Sequence, residues 1–223
     1  MGLDMYMFHV ERLNDEEVLS LHGKHTQDID RKYTYISKED FDADPDMYSD
    51  LIPFVSQISV KTRSFDWRRC WKANGVAEDD DVCASMFGGG IARYTFNSGK
   101  SIELSHEEYE DYCYDHETMI YAWKSKQVAY WRKYYDLDEY LQQIRIKCRA
   151  EAMKADGQTP KKEDIATWQT ENCGYYLLSF KEKQLLGEFL KKNAEEMHCD
   201  DYEPEWFNFI NDQEVPIFYH AWW

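Results

Sequence analysis

Histidines beside carboxylates are the residues of this sequence whose types and spacing could carry chemistry. The stretches His106-Glu-Glu108 and Asp115-His-Glu117 place imidazoles next to carboxylates, the groups that a metal centre or an acid–base pair uses. His22 and His25 could chelate a metal from one helical turn, although Gly23 between them disfavours a helix and no His-Glu-x-x-His motif accompanies them. In an acidic chain such neighbours also arise by chance.

Two other features could belong to a reactive site. Cys199 follows His198 and could be a nucleophile, but no distant partner can be named, and a free thiol is the alternative. Gly88-Gly-Gly90 lacks the Lys-Ser/Thr of a phosphate-binding loop, so we predict a turn there. None of the six cysteines forms a Cys-x-x-Cys pair. We therefore assign no catalytic residue, no metal ligand and no cofactor.

Carboxylates interleaved with aromatic rings are the most prominent feature of the chain. They cluster at residues 40–50, 78–81, 107–115 and 200–205. In a binding surface for a basic protein, carboxylates steer the partner and rings anchor it; the alternative is a solvated surface with ordinary core aromatics. The residues that we predict to contact a partner are Asp79, Asp80, Asp81, Glu107, Glu108, Tyr112, Asp200, Asp201, Glu203 and Trp206.

A long helix over residues 127–153 is predicted to be the element against which the others pack. One apolar stripe recurs at alternating steps of four and three, and the opposite face carries polar residues such as Gln143 and Arg145. The stripe consists of Tyr130, Tyr134, Leu137, Leu141, Ile144, Cys148 and Ala152.

Shorter elements are predicted on both sides of this helix. Residues 3–10 and 215–223 indicate buried strands, and Asn97-Ser-Gly-Lys100 indicates a hairpin turn. The remaining predictions are a helix after Asn14, a strand over residues 56–64, a helix over residues 65–75, a helix capped by Thr159, a strand over residues 175–178 and a helix after Ser179.

Composition and charge limit the class of protein. The 223 residues include 43% apolar and 16% aromatic residues, which argues against disorder. The net charge of −17 would repel phosphate backbones and anionic lipid, so we expect no direct nucleic-acid or membrane binding. The N-terminus lacks a basic region followed by an apolar run, and we expect a cytoplasmic location in a bacterial host cell.

We predict an α+β fold in a single domain spanning residues 1–223. A small, mostly antiparallel sheet would pack against one long central helix and several shorter helices. Residues 14–120 could be a family-specific elaboration of that domain.

Four stretches carry a resemblance to a known family: Met1-Gly-Leu-Asp-Met-Tyr-Met7, Val128-Ala-Tyr-Trp-Arg-Lys133, Asn172-Cys-Gly-Tyr-Tyr-Leu-Leu-Ser179 and Phe218-Tyr-His-Ala-Trp-Trp223. The chain resembles a family of uncharacterised proteins of tailed phages, prophages and bacteria. Members of that family typically continue the helix as Ala-Asn-x-Ile-His, where this chain has Tyr134-Tyr-Asp-Leu-Asp138. The resemblance implies a phage or prophage origin and no particular chemistry.

Asp4 and Arg132 lie in these stretches and are expected to form an ion pair. The pair could be buried and line a pocket walled by Tyr6 and Tyr130. Alternatively, it could be a structural ion pair that locks the first strand to the long helix.

Two classes of function remain open at this point. The first is a non-enzymatic phage accessory protein that binds a basic surface of a host protein and inhibits a nucleic-acid-handling defence complex, as an anti-CRISPR-like acidic mimic whose carboxylates substitute for phosphates. The alternative is a metal-dependent enzyme with a His/carboxylate site that acts on a small molecule or nucleotide.

Overall fold

The chain divides into two compact units and contains two sheets. The structure is a computed structural model and describes residues 3–170, 173–193 and 211–222. The first unit comprises residues 1–20, 30–58 and 120–223, and the second comprises residues 21–29 and 59–119. The α+β class is therefore confirmed, while the prediction of a single domain stays a prediction.

The described elements mix helices and strands along the chain. In order they are β1 (Asp4–Glu11), α1 (Asp15–Leu21), β2 (Tyr33–Ser37), α2 (Lys38–Ala43), α3 (Pro45–Tyr48), β3 (Ser56–Phe65), α4 (Trp67–Ala73), β4 (Val82–Gly88), β5 (Ile91–Phe96), β6 (Ser101–Ser105), α5 (His106–Asp111), β7 (Cys113–Arg132), α6 (Tyr135–Ala155), α7 (Lys162–Thr167), β8 (Tyr175–Leu177), α8 (Phe180–Lys192) and β9 (Ile217–Trp222). Two 3-10 helices span Thr26–Asp28 and Ser49–Phe54. Within the described part of the chain, no helix is long and apolar enough to cross a membrane.

The larger sheet has the strand order β2-β7-β1-β9-β8, and β3 also pairs with β7. Both terminal strands are in it, as predicted: β1 pairs antiparallel with β9, so that Met5 lies opposite Ala221. On its other side β1 pairs antiparallel with β7, and Asp4 lies opposite Arg132. Because β1 has a partner on each side, the beginning and the end of the chain share one sheet.

One face of this sheet and two helices form the main core of the first unit. Met5 and Met7 of β1 are fully buried with Leu141 of α6 and Leu186 of α8. The opposite face of β1 carries Tyr6 and Phe8, which are half buried. The prediction of a strand buried on both faces is thus correct for one face, because the other carries large rings that are only partly covered.

The long helix begins eight residues later than predicted, at Tyr135. Residues 127–132 belong to β7, whose backbone pairs with β1, and sheet pairing overrides helical periodicity here. Lys133 has φ 58° and separates the strand from the helix. Leu137, Leu141, Ile144 and Cys148 are buried as predicted, whereas Ala152 is exposed.

Two further predictions about helices are corrected. The sequence predicts that Arg145 lies on the polar face of the long helix, but its side chain is only 1% exposed. The helix predicted to be capped by Thr159 begins at Lys162, and the Asp164 carboxylate accepts a hydrogen bond from the Lys161 backbone N–H at 2.8 Å. The predicted cap at Asn14 and the predicted capping box at Ser179 are both formed. The Asn14 side chain accepts from the Glu17 N–H at 2.9 Å, the Ser179 side chain accepts from the Glu182 N–H at 3.3 Å, and the Glu182 carboxylate accepts from the Ser179 N–H at 2.6 Å.

Candidate acidic docking surface

The second unit contains a three-stranded sheet in the order β4-β5-β6. Its buried face packs Tyr94 and Phe96 of β5 against Trp71 of α4. Trp71 meets these rings edge-on, with centroids 4.9 Å from Tyr94 and 5.0 Å from Phe96. This small core packs against β5, the central strand of the sheet. The strand order places β4 at one edge.

The β4–β5 turn is the glycine turn that the sequence predicted. Gly89 and Gly90 have φ values of 59° and 77°, a conformation that suits a two-residue hairpin loop and that side chains with a Cβ rarely adopt. The β5–β6 hairpin is also formed, with Gly99 at φ 81°.

All seven residues of β4 are exposed, including its large apolar side chains. Met86 is 58% exposed and Phe87 is 64% exposed. The Phe87 ring meets Tyr94 and Tyr109 edge-on, with centroid distances of 5.9 Å and 6.2 Å. Phe87 therefore contacts the rings at the edge of the small core while most of its own side chain stays exposed to solvent.

The acidic run that precedes β4 is attached to the β5–β6 turn. The Asp80 carboxylate accepts hydrogen bonds from the N–H and the hydroxyl of Ser98, and the Asp81 carbonyl accepts from Asn97 N–H at 3.0 Å. Asp79 and Asp81 are exposed, while Asp80 is half buried. The run therefore presents two carboxylates at a fixed place, where β4 begins.

Helix α5 adds further carboxylates to this unit. Glu107 is exposed. Glu108 closes a capping box: its carboxylate accepts from the Ser105 N–H and hydroxyl, both at 2.8 Å, and the bond from that N–H is the main reason why its pKa is lowered. Glu110 pairs with Arg63. Of these three carboxylates, Glu107 is the one with neither a cap nor an ion pair among the described residues.

Tyr112 lies in an acidic cluster, which predicts an exposed ring that anchors a partner, but the structure does not expose it in this way. It is half buried, its ring lies 6.0 Å from Phe65, and the Arg69 guanidinium lies over it at 5.2 Å. Its contacts are therefore internal to the second unit. Asp200, Asp201, Glu203 and Trp206, the other predicted contact residues, lie outside the residues that the structure describes.

A groove of about 300 Å³ runs beside the exposed edge. Phe87 and Ile91 form its apolar wall, and His106, Tyr109 and Glu110 come from α5. The groove thus combines open apolar surface with a carboxylate and an imidazole.

The histidine–carboxylate clusters do not converge on a metal centre in the described residues. His25 lies 3.6 Å from Asp115, but no group of three His, Cys, Asp or Glu side chains within residues 3–170, 173–193 and 211–222 could hold a metal ion.

The four stretches that carry the family resemblance meet in the first unit. They include residues of β1, β7, β8 and β9, which are neighbours in the larger sheet. Tyr130 donates a hydrogen bond to Asp4 at 2.7 Å, and this bond raises the pKa of Tyr130 to about 12. The Arg132 side chain lies 3.7 Å from Asp4 and is 67% exposed.

The Asp4–Arg132 pair is therefore a partly exposed ion pair between two strands. It is not the buried pair of the first alternative, and it does not attach the first strand to a helix, because Arg132 belongs to β7. Next to it on the same sheet face, Tyr6 contacts Tyr130 with ring centroids 5.0 Å apart. Exposed pairs of this kind contribute little to stability.

A second cavity in the first unit, of about 590 Å³, lies among α6, α8 and β8. Arg149 lies 3.5 Å from Asp50 on its wall, and Asp50 also accepts from the Leu177 N–H at 3.0 Å. Glu182 is 1% exposed, and its Oε1 atom has no hydrogen-bond partner among the described residues. That atom is shielded from solvent, so it is not accessible to a molecule in the cavity.

No protein-family model, curated protein or solved structure matches the chain. The geometry of the two units is therefore the only basis for assigning a function beyond the sequence.

The exposed residues Met86 and Phe87 are the part of the docking surface that sequence reasoning missed. The signal is an uncharged run, Val82-Cys-Ala-Ser-Met-Phe87, between the acidic run and the glycine turn. Its residues do not alternate between apolar and polar, because both faces of this edge strand are exposed, and so the usual strand pattern is absent.

Proposed function

We propose that this chain is a non-enzymatic accessory protein of phage or prophage origin that acts in the cytoplasm of a bacterial host. It binds a basic surface of a host protein and inhibits a nucleic-acid-handling defence complex to which that protein belongs. The resemblance supports the origin. The binding activity is supported by one observation: the uncharged and fully exposed strand β4 begins at the exposed carboxylates of Asp79 and Asp81.

The charge and the exposed rings have different roles in this proposal. Carboxylates attract a basic partner over distances of about a Debye length, ~10 Å at 0.1 M salt, and raise the association rate. Charge alone gives promiscuous binding, so burial of Met86 and Phe87 supplies specificity and slows dissociation. A partner that normally contacts phosphates has the complementary charge, whereas nucleic acid itself is repelled by the net charge of −17.

The test is capture of a host protein at two salt concentrations, followed by kinetics on the captured protein. Immobilised wild-type protein is incubated with host lysate at 50 mM and at 1 M salt. We expect one or a few basic proteins to be retained at 50 mM and lost at 1 M. The association rate of the purified partner should fall by about tenfold in the double variant Asp79→Asn/Asp81→Asn, which leaves the Asp80–Ser98 contact intact.

A matched control makes the same charge change elsewhere. Glu163 of α7 and Glu188 of α8 are exposed residues of the first unit, and Glu163→Gln/Glu188→Gln should leave the association rate within about twofold of wild type. Equal slowing by both double variants would mean that net charge alone attracts the partner. Retention of no basic protein at 50 mM salt would refute the proposed function.

A further inference from the structure

The outer edge of β4 has backbone N–H and C=O groups to which another strand could pair. As an edge strand of a three-stranded sheet, it pairs with β5 alone. In an antiparallel pair, alternate residues point their N–H and C=O groups away from the partner strand. All seven residues of β4 are exposed, so no other described part of the chain covers these groups.

Natural proteins usually protect such an edge, and this edge has little protection. Lysine, proline or inward-pointing charges commonly prevent pairing with another chain, but the sequence Val82-Cys-Ala-Ser-Met-Phe-Gly88 contains none of them. One irregularity lies at its start, between Val82 and Ala84. By contrast, the edge strand β8 of the larger sheet has three residues, and its Leu177 N–H is bonded to Asp50.

The surroundings of this edge specify the chemistry of an added strand. The groove of about 300 Å³ beside Phe87 and Ile91 would receive an apolar side chain. Asp79 and Asp81 are exposed where β4 begins, whereas Glu110 at the groove is already paired with Arg63. The exposed carboxylates favour a segment that has an apolar centre and Lys or Arg at the end beside the start of β4.

We propose that the partner binds by adding an extended basic segment to β4 as a fourth strand of the β4-β5-β6 sheet. This inference rests on the proposed function and specifies how the partner binds. Seven residues of β4 span about 23 Å at ~3.3 Å per residue, so a segment of about five to seven residues covers the edge. Main-chain hydrogen bonds hold the segment, and the side chain in the groove provides specificity.

The primary experiment measures backbone protection in the wild-type protein. The probe is a synthetic nine-residue peptide with Lys-Arg at each end and alternating Val, Thr and Phe in the centre. A twin peptide carries N-methyl groups on every central residue, which removes its backbone donors and keeps its charges. Hydrogen exchange of the 15N-labelled protein is followed by NMR at 50 mM salt with millimolar peptide.

We expect the unmethylated peptide to slow exchange at least tenfold at alternate amides of residues 82–88. Amides of the opposite edge, β6, should be unchanged, and the methylated twin should bind at least tenfold more weakly. Failure of the peptide to bind, equal binding of the twin, or binding without protection of β4 would each overturn the inference. None of these results affects capture of a basic host protein, which tests the proposed function separately.

Proline variants provide a second, independent readout. Ala84 and Ser85 are neighbours in the regular part of the β4–β5 pairing, so one of their two N–H groups points away from β5. Of Ala84→Pro and Ser85→Pro, the variant that loses the outward donor should stay folded and lose peptide binding at least tenfold. A folded pair of variants that both bind normally would contradict strand addition.

The same edge could instead pair with the edge of a second copy of this chain. Sedimentation of the wild type at micromolar concentrations distinguishes the two occupants. A monomer whose β4 amides exchange rapidly without peptide supports the partner segment. A dimer whose β4 amides are already protected would overturn the proposal in favour of self-association.

Discussion

A buried guanidinium is the least expected residue of the first unit. Arg145 is 1% exposed, and its nitrogens donate to the carbonyls of Trp168 and Leu177, each at 3.3 Å. The ring of Tyr176 lies 4.8 Å from the guanidinium carbon. Burial lowers the pKa of Arg145, but an arginine stays charged in proteins. Arg145 therefore ties α6 to two other segments of the first unit.

Truncation of Arg145 should be strongly destabilising. Arg145→Ala leaves a buried carbonyl and a partly buried carbonyl without this donor and opens a cavity, and we expect a loss of about 3 kcal/mol in the free energy of unfolding. The neighbouring Arg149→Ala is the control, because Arg149 forms a partly exposed ion pair with Asp50, and its loss should cost under about 1 kcal/mol. Urea melts measure both, and equal losses would contradict a structural role for Arg145.

His220 should make stability depend on pH. Its ring stacks on Tyr175 with centroids 4.4 Å apart, its Nδ1 lies 3.1 Å from the Gly174 carbonyl, and burial lowers its pKa below 6.5. Well above pH 6.5, His220 is neutral in both the folded and the unfolded chain, so a change of pH there does not alter its contribution to stability. As the pH falls below that value, the unfolded chain binds a proton that the folded chain disfavours, so the free energy of unfolding decreases.

The prediction is tested with a matched pair of histidine variants. Between pH 7.5 and pH 5.5, His220→Gln should lose less stability than wild type, because the residue that titrates is gone. His22 is exposed, and His22→Gln should retain the wild-type pH dependence. Urea melts at three pH values measure this, and identical slopes for His220→Gln and wild type would rule out His220 as the cause.

For helix α6, we expect truncation of a buried residue in the apolar stripe to destabilise the protein much more than truncation of an exposed residue on the opposite face. Leu141 is fully buried and packs in the main core of the first unit, so Leu141→Ala should cost about 2–5 kcal/mol. Gln143, on the same helix, is exposed, and Gln143→Ala should change stability by less than about 0.5 kcal/mol. Thermal melts of both variants would contradict the assignment if their losses were equal and small.

In the second unit, two rings near the acidic residues should behave differently when truncated. Phe87→Ala should leave the melting temperature nearly unchanged and increase the dissociation rate of a bound partner, because Phe87 is exposed. Tyr112→Ala should instead lower the melting temperature, since Tyr112 packs on Phe65. Surface plasmon resonance and melts separate the two effects, and an unchanged dissociation rate for Phe87→Ala would exclude it as an anchor.

The sequence predicts most elements whose signals are local, although the cap predicted at Thr159 does not form. Other failures occur where a residue distant in sequence determines the structure. Caps at Asn14 and Ser179 and the glycine turns depend on adjacent residues, and all of them form. Residues 127–132 match a helical stripe, but pairing with β1 makes them a strand. The site shows the same division: the position of the acidic run is visible in the sequence, but the exposure of Phe87 depends on β4 lying at an edge.

At the scale of the whole molecule, the last strand completes the sheet in which the first strand lies. Ile217, Phe218, Tyr219 and Ala221 are all fully buried, and β9 lies between β1 and β8. Tyr219 also donates a hydrogen bond to Asp138 of α6 at 2.5 Å. The C-terminal residues therefore supply part of the core of the first unit and two of its strand pairings.

Removal of residues 217–223 should consequently unfold the first unit. The deletion exposes the edges of β1 and β8, removes four buried apolar side chains and leaves Asp138 without its tyrosine donor. Near-UV circular dichroism should lose its aromatic signal, and the cooperative thermal transition of this unit should disappear. A control that stops after Ala221 removes Trp222, which is 58% exposed, and should keep both signals. If the longer deletion kept a native near-UV spectrum, β9 would be dispensable for the core of the first unit, and β1, β7 and the two helices would suffice to form it.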